Sequence, residues 1–193
     1  MALRLGRLRL PWSSRESDDD PYWERFLQRP PADPQNSVVA LIERAPDGAV
    51  NPVKEEIHSP EINARHLKDL ARFLGADLTG IVRLDPAADD NPERHPYAVV
   101  CAVRAEHDPR DTPGIGGEVP AQHGLFVTFV LSAYIRELGY RATRTLPAAG
   151  ERLAAAAGLG TLDARGRLVT PEYGPRVHVA QVIHTDLPLA ADG

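Results

Sequence analysis

The sequence has a single cysteine, Cys101, in 193 residues. No internal disulfide can form, and its thiolates alone can hold neither a structural zinc nor an iron–sulfur cluster. Lysine is nearly absent. It occurs only at Lys54 and Lys68, so 20 of the 22 basic residues are arginine. With the abundant alanine, this composition suggests a GC-rich bacterial genome. A surplus of positive charge is also missing. The formal net charge is −5, which argues against a general nucleic-acid binder. No apolar run approaches the roughly 20 residues that span a bilayer. Met1–Leu10 alternates leucine with arginine and has neither an apolar core nor a twin-arginine pair, unlike an export signal. The expectation is a soluble cytoplasmic protein with no membrane segment.

What is present fits a folded chain. Hydrophobic residues make up 42% and charged residues 25%, enough to bury a core without staples. Residues 1 to about 36 read as an arm, rich in Ser, Asp and Pro. Tyr22, Trp23, Phe26 and Leu27 are its expected packing anchors. Residues 37–193 read as one domain.

Ser37–Glu43 reads as a first strand, and Asp47-Gly48 as a turn before a second short one. Ser59-Pro60 marks a helix start, and Gly75 its end just past Leu74. Leu67, Leu70, Phe73 and Leu74 are expected on its buried face. Asp77–Leu84 and Tyr97–Val103 read as strands, and the unbroken apolarity of the second suggests a central position. Pro86–Pro96 reads as a polar loop and Arg104–Pro120 as a longer, Gly- and Pro-rich one, the kind of segment that often carries function. Ala121–Leu138 reads as a helix apolar all round, hence buried on all sides or at an interface. That makes residues 125–135 the expected homodimer surface. Tyr140–Thr145 reads as a strand, Ala148–Ala157 as a helix ended by Gly158, and Arg176–Thr185 as the closing strand. The order suggests an α/β or α+β layered fold, helices on a largely antiparallel or mixed sheet.

Residues 154–189 carry the chemistry. Gly158, Gly160 and Gly166 sit where the chain turns back and a ligand could approach the backbone. Thr170-Pro171-Glu172-Tyr173-Gly174-Pro175 is a Pro-bracketed turn that presents Tyr173 and Arg176. Thr185-Asp186-Leu187-Pro188 ends the strand. Backbone N–H groups and hydroxyls in such loops suit a large ligand with amide and phosphate groups.

The run AGLGTLDARGRLVTPEYGPRV…TDLPL resembles the signature of the corrinoid-dependent reductive dehalogenases and the related epoxyqueuosine reductases. The likeness extends, in order, over roughly residues 57–189. It implies a nitroreductase-like fold, a mixed sheet flanked by helices, binding base-off cobalamin (a corrinoid). By matching positions it implies that Gly158, Leu159, Gly160, Gly166, Thr170, Pro171, Tyr173, Gly174, Arg176, Thr185 and Asp186 line or shape the corrinoid pocket.

The sequence departs from that family in two places. No CxxCxxCxxxCP run is present, so the expectation is a domain without its own clusters, fed by a ferredoxin-like or reductase electron donor. Asp163-Ala164 stands where the family carries Gly and Arg or Lys, which implies a changed contact to the nucleotide tail. Tyr173, Arg176 and His107 are the candidate catalytic residues. Arg176 is equally suited to an ion pair with Asp186 or Glu172. His107 with Asp108 forms the best acid–base pair, because a carboxylate raises a neighbouring His pKa. His107, His123, His178 and His184 lack metal-ligand spacing, so no metal site is expected. Cys101 is expected to be a buried small hydrophobe.

Two functions follow from these readings. One is a cobalamin-binding protein, either a dehalogenase-like reductase subunit or a cobalamin carrier. The other is a repurposed nitroreductase-like domain that binds flavin, another tetrapyrrole or a substrate directly.

Overall fold

The structure is a computed structural model that describes residues 38–56, 58–85, 94–112, 114–145 and 150–192, with backbone only for 38–40. The expected arm with its four anchors, most of the 86–96 loop and residues 148–149 of the expected alanine-rich helix lie outside the described residues. Four helices are described: α1 (Val38–Arg44), α2 (Pro60–Phe73), α3 (Ile115–Glu137) and α4 (Gly150–Ala156). Seven strands are described: β1 (Leu78–Arg83), β2 (Tyr97–Arg104), β3 (Ala142–Thr145), β4 (Thr161–Leu162), β5 (Leu168–Val169), β6 (Val177–Val179) and β7 (Val182–Thr185).

Five of the strands form one sheet, ordered β1-β2-β7-β3, with β6 pairing β2 alongside β7. Every pairing is antiparallel. β2 is central, as its sequence suggests, and six of its eight residues are buried. Its side chains alternate between two cores. Val99 and Cys101 face α2 and α3 with Leu67, Ala71, Val127, Leu131 and Ile135. Ala98, Val100 and Ala102 face α4 with Ala154, Leu168, Val177 and Val182. The expected layered α/β architecture is therefore the observed one, with helices on both faces.

Several expected elements change. Ser37–Glu43 is not a strand. Its apolar, β-branched run suits a strand locally, but here Val38–Arg44 is a helix packed on α3. Asp47 pins the chain just beyond it by pairing with Arg136 (3.3 Å) and Arg144 (2.9 Å). No strand follows Asp47-Gly48 among the described residues. Instead the segment caps α3: Asn51 N, Asn51 Nδ2 and Glu55 N donate to the carbonyls of Arg136, Glu137 and Leu138 at 2.9, 3.1 and 3.0 Å. The Glu137 and Leu138 carbonyls would otherwise be helix-end orphans, whereas the Arg136 carbonyl also accepts from Gly139 N at 3.0 Å.

α2 begins at Pro60 after Ser59, and Gly75 takes φ 103° past its end. Phe73, expected in the core, is 86% exposed. At ~100° per residue it lies about 200° round the helix from buried Ala71. α3 starts six residues earlier than expected, at Ile115, so Gly116, Gly117 and Pro120 are helical rather than looped. Gly117 is required there. A Cβ would sit 2.4 Å from the Thr112 carbonyl oxygen, so the helix start packs on loop backbone. α3 is not covered all round, because Val119, Phe126 and Tyr134 are exposed along it. Thr128 and Ser132 donate to carbonyls of the same helix, which satisfies its polar groups locally.

The expected closing strand, Arg176–Thr185, is two strands. Ala102 pairs with Val179 and Val99 with Ile183. Two residues intervene on β2 and three on its partner, which makes a one-residue bulge over Ala180–Val182. α3 crosses closely here, since a Cβ on Gly124 would lie 2.9 Å from the Ala180 Cβ.

Candidate functional site

The segment following α4 builds a compact assembly over the second core. Gly158 ends α4 with φ 75°, and its Cβ position meets nothing within 4 Å. Leu159 packs on β1 across Gly80, whose own Cβ would lie 2.5 Å from the Ala157 Cβ. Gly160 is crowded on the inside: a Cβ would stand 2.4 Å from the Val169 carbonyl oxygen. β4 and β5 then form a hairpin, Thr161 opposite Val169 and Leu162 opposite Leu168.

Asp163 organises the hairpin turn. Its carboxylate accepts from the backbone N–H of Arg167 (2.9 Å) and Arg165 (2.8 Å) and from Arg167 Nε (3.0 Å). Those hydrogen bonds hold its pKa below the ordinary carboxylate value, the Arg167 backbone contributing most. Gly166 closes the turn with φ 77°. The departure at Asp163-Ala164 is thus a self-contained turn.

The Thr170–Gly174 turn is closed on itself. Thr170 N donates to the Gly174 carbonyl and Gly174 N to the Thr170 carbonyl, both at 2.9 Å. The Thr170 hydroxyl accepts from Tyr173 N at 3.1 Å. Pro171 and Glu172 are exposed at its tip. Gly174 takes φ 59°, again with nothing near its Cβ position. Tyr173 is half-buried. The Glu172 carboxylate beside it raises the phenol pKa above its ordinary value. Arg176 is exposed and its guanidinium has no ion-pair partner among the described residues. Of the two expected partners, Asp186 pairs with Arg141 instead, at 2.9 Å.

Thr185 and Asp186 lie apart from this cluster. Thr185 pairs with Tyr97 at one end of β2, whereas Val177 pairs with Arg104 at the other. Eight residues of strand separate the ends by roughly 24 Å. The Thr185 hydroxyl donates to the Arg141 carbonyl (2.7 Å) and accepts from Leu187 N (3.1 Å). Asp186 also accepts from Arg141 N (2.7 Å). Both residues serve to join β7 to β3.

His107 does not pair with Asp108. The imidazole is exposed, and the Asp108 carboxylate bonds Arg110 (2.7 Å) and Arg167 (3.2 Å). Burial raises the Asp108 pKa, but the bonds from Arg110 outweigh it and the net shift is downward. Nothing in the spacing of Arg110 and Glu151 suggests that they meet, yet they do, at 3.0 Å. Cys101 is fully buried, and desolvation pushes its thiol up to about 12, matching its expected role as a small hydrophobe. Burial, with the Arg110 charge nearby, lowers His178 to about 4.

A separate cavity of about 370 Å³ opens on the other side of the sheet, between α2 and α3, lined by Glu55, His58, His66, Tyr134 and Leu187 among others. It holds none of the expected site residues. Among the described residues, no group of three or more His, Cys, Asp or Glu side chains could hold a metal ion, and no helix is long and apolar enough to cross a membrane.

No protein-family model and no curated protein matches the chain. Solved structures do. An N-terminally tagged catabolic reductive dehalogenase, NpRdhA, is 30% identical with a TM-score of 0.69, over 80% of this chain and 24% of that one. The same enzyme in complex with 3-bromo-4-hydroxybenzoic acid gives 30% and 0.68 over the same shares. A reductive dehalogenase whose structure suggests a mechanism for B12-dependent dehalogenation is 25% identical with a TM-score of 0.62, over 80% of this chain and 25% of that one. This chain therefore shares the fold of one part of these reductive dehalogenases. It spans about a quarter of their length.

Proposed function

We propose that the chain binds a corrinoid, cobalamin in its base-off form, over the surface made by Gly158, the Thr170–Gly174 turn and Arg176. It would act either as a dehalogenase-like reductase subunit fed by a separate ferredoxin-like donor or as a cobalamin carrier. The observation that carries this reading is the open outer side of the turns beside a guanidinium with no ion-pair partner among the described residues. Added Cβ atoms at Gly158 and Gly174 would meet only open space, so backbone can approach a large flat ligand. Crowding is confined to the inner side, at Gly160. The fit is thus good at this end of the sheet. It is poor at Thr185 and Asp186, whose polar groups are committed to Arg141, and these two leave the proposed binding set.

A bound corrinoid would supply cobalt-centred reducing chemistry. The chain's own groups would bind and orient. Arg176 offers a forked donor to a phosphate, carboxylate or amide oxygen. Tyr173 stands in the same turn, three residues before Arg176, and is the better candidate proton donor. His107 is exposed and not paired with Asp108, which favours Tyr173 over it as the proton donor. Leu159 and Pro171 shape the wall, and Gly166 turns the hairpin behind it.

Titrating the purified protein with hydroxocobalamin, followed by absorbance, tests the reading. A base-off spectral shift with Kd in the micromolar range or below (about −8 kcal/mol) is expected, and Arg176→Ala should weaken it at least tenfold. Loss of less than twofold would move the site elsewhere. No shift at all, or a protein that purifies yellow with flavin, would favour the repurposed domain. Debromination of 3-bromo-4-hydroxybenzoic acid with a reduced ferredoxin would separate a reductase subunit from a carrier.

A further inference from the structure

Arginine at position 110 has five N–H donors in a rigid fork, and the fold uses them on its own loop and on three other pieces of chain. Nε and Nη2 grip the Asp108 carboxylate at 2.7 and 3.2 Å. Nη1 bonds both oxygens of Glu151 on α4, at 3.0 and 3.2 Å. Nη2 donates to the Pro175 carbonyl at 2.7 Å, and both terminal nitrogens lie within 3.5 Å of the Leu168 carbonyl. Leu168 and Pro175 are the two stems of the Thr170–Gly174 turn. Glu151 completes the grip by accepting from Leu168 N. One guanidinium thus holds the stem before the turn, the stem after it and the helix beneath it.

We propose that Arg110 is the positioning residue of the site: it fixes the Pro175–Arg176 backbone, and so the Arg176 guanidinium, relative to Gly158 and the end of α4. Its consequence for the ligand rests on the corrinoid reading; its consequence for the turn does not. The side chains involved are shielded, with Arg110 at 21% and Asp108 at 14% exposure, so bulk salt screens them less than a surface pair. A lysine could keep a charge near Asp108 and Glu151 but could not reach both stem carbonyls, because it is a point charge without the fork. Without Arg110, the Thr170–Gly174 loop loses its tether to α4, and its short internal bonds open more often.

Hydrogen exchange and hydroxocobalamin titration on three variants test this. Arg110→Ala and Arg110→Lys should each speed amide exchange in residues 173–177 at least tenfold while residues 98–102 of β2 stay protected. Both should weaken hydroxocobalamin binding at least fivefold. Arg110→Ala combined with Arg176→Ala should bind no worse than the weaker single variant, because one acts through the other. Asp69→Ala, which removes an exposed partner of Arg72 on α2, should change neither reading. If Arg110→Ala fails to fold, Arg110→Lys carries the test. Unchanged exchange at 173–177, uniform loss of protection across the sheet, or fully additive binding losses would each overturn the proposal. If the wild-type chain binds no hydroxocobalamin but the local exchange change appears, the corrinoid reading falls and the positioning role stands.

Discussion

The two faces of the sheet are held by different physics. The α2–α3 face is covered by two long helices whose contacts are almost wholly apolar, with Leu67, Val127, Leu131 and Ile135 at or near zero exposure. Its stabilisation scales with area removed from water. The α4 face has a smaller apolar core, around Ala154, Leu168 and Val177. It relies on Arg110, Arg167 and the carboxylates of Asp108, Asp111, Glu151 and Asp163 to hold short turns in place. Area gives stability without fixing backbone position closely, whereas hydrogen-bonded ion pairs fix position and add modest stability. A face that must present backbone at set positions to a ligand suits the second arrangement.

Leu131→Ala should give the largest effect, a loss of about 3 kcal/mol in urea unfolding, with hydroxocobalamin affinity of the folded protein unchanged. A parallel loss of affinity would break the distinction between the faces. Acid should come next. His178 is neutral when folded, with a pKa near 4 against about 6.5 when unfolded. The unfolded chain therefore binds a proton first, and stability falls as pH drops from about 6.5 to 4, by roughly 3 kcal/mol in all. His178→Gln should flatten that part of the profile. Gly160→Ala should cost about 2 kcal/mol, because its Cβ meets the Val169 carbonyl oxygen, which cannot move aside as a side chain could. It should weaken ligand binding as well, unlike Leu131→Ala. Gly166→Ala, with open space and only an unfavourable φ, should cost about 1 kcal/mol. The smallest change should come from Asp163→Ala: a Tm shift below that of Gly166→Ala, with faster amide exchange confined to residues 163–167.

Where local chemistry decides, the sequence was informative. Ser59-Pro60 and Gly75 bracket α2, the apolar run of β2 marks the centre, and Gly158 and Gly166 take the positive φ that glycine allows at a turn, although Gly160 does not. Where distant segments decide, it was not. Val38–Arg44 is a helix because α3 and the Asp47 ion pairs receive it, which its β-branched residues do not reveal. Gly116, Gly117 and Pro120 read as loop formers until the close approach of Thr112 is known. Thr185-Asp186 belongs to the same motif as Tyr173-Gly174-Pro175-Arg176 in sequence, yet lies at the far end of the central strand. Arg110 was invisible as a site residue because its importance depends on four segments meeting around it.

The bulge over Ala180–Val182 acts as a shift of reading frame in three dimensions. Upstream, the odd-numbered Val177 and Val179 belong to the α4 core. Downstream it is the even-numbered Val182 that does, while Ile183 joins the α2–α3 core. Removing Gln181 would leave Val179 opposite Ala102 and Ile183 opposite Val99 with two residues between them on each strand. Ala180 and Val182 would then alternate regularly, and Ile183 and everything after it would keep the facing it has. The C-terminal segment, which ties Asp192 to Ile81 and Lys68 at the outer edge of β1, would stay in step. The bulge is thus one residue more than β2 can match, and the chain at 180–182 should tolerate the loss of one residue better than the gain of another.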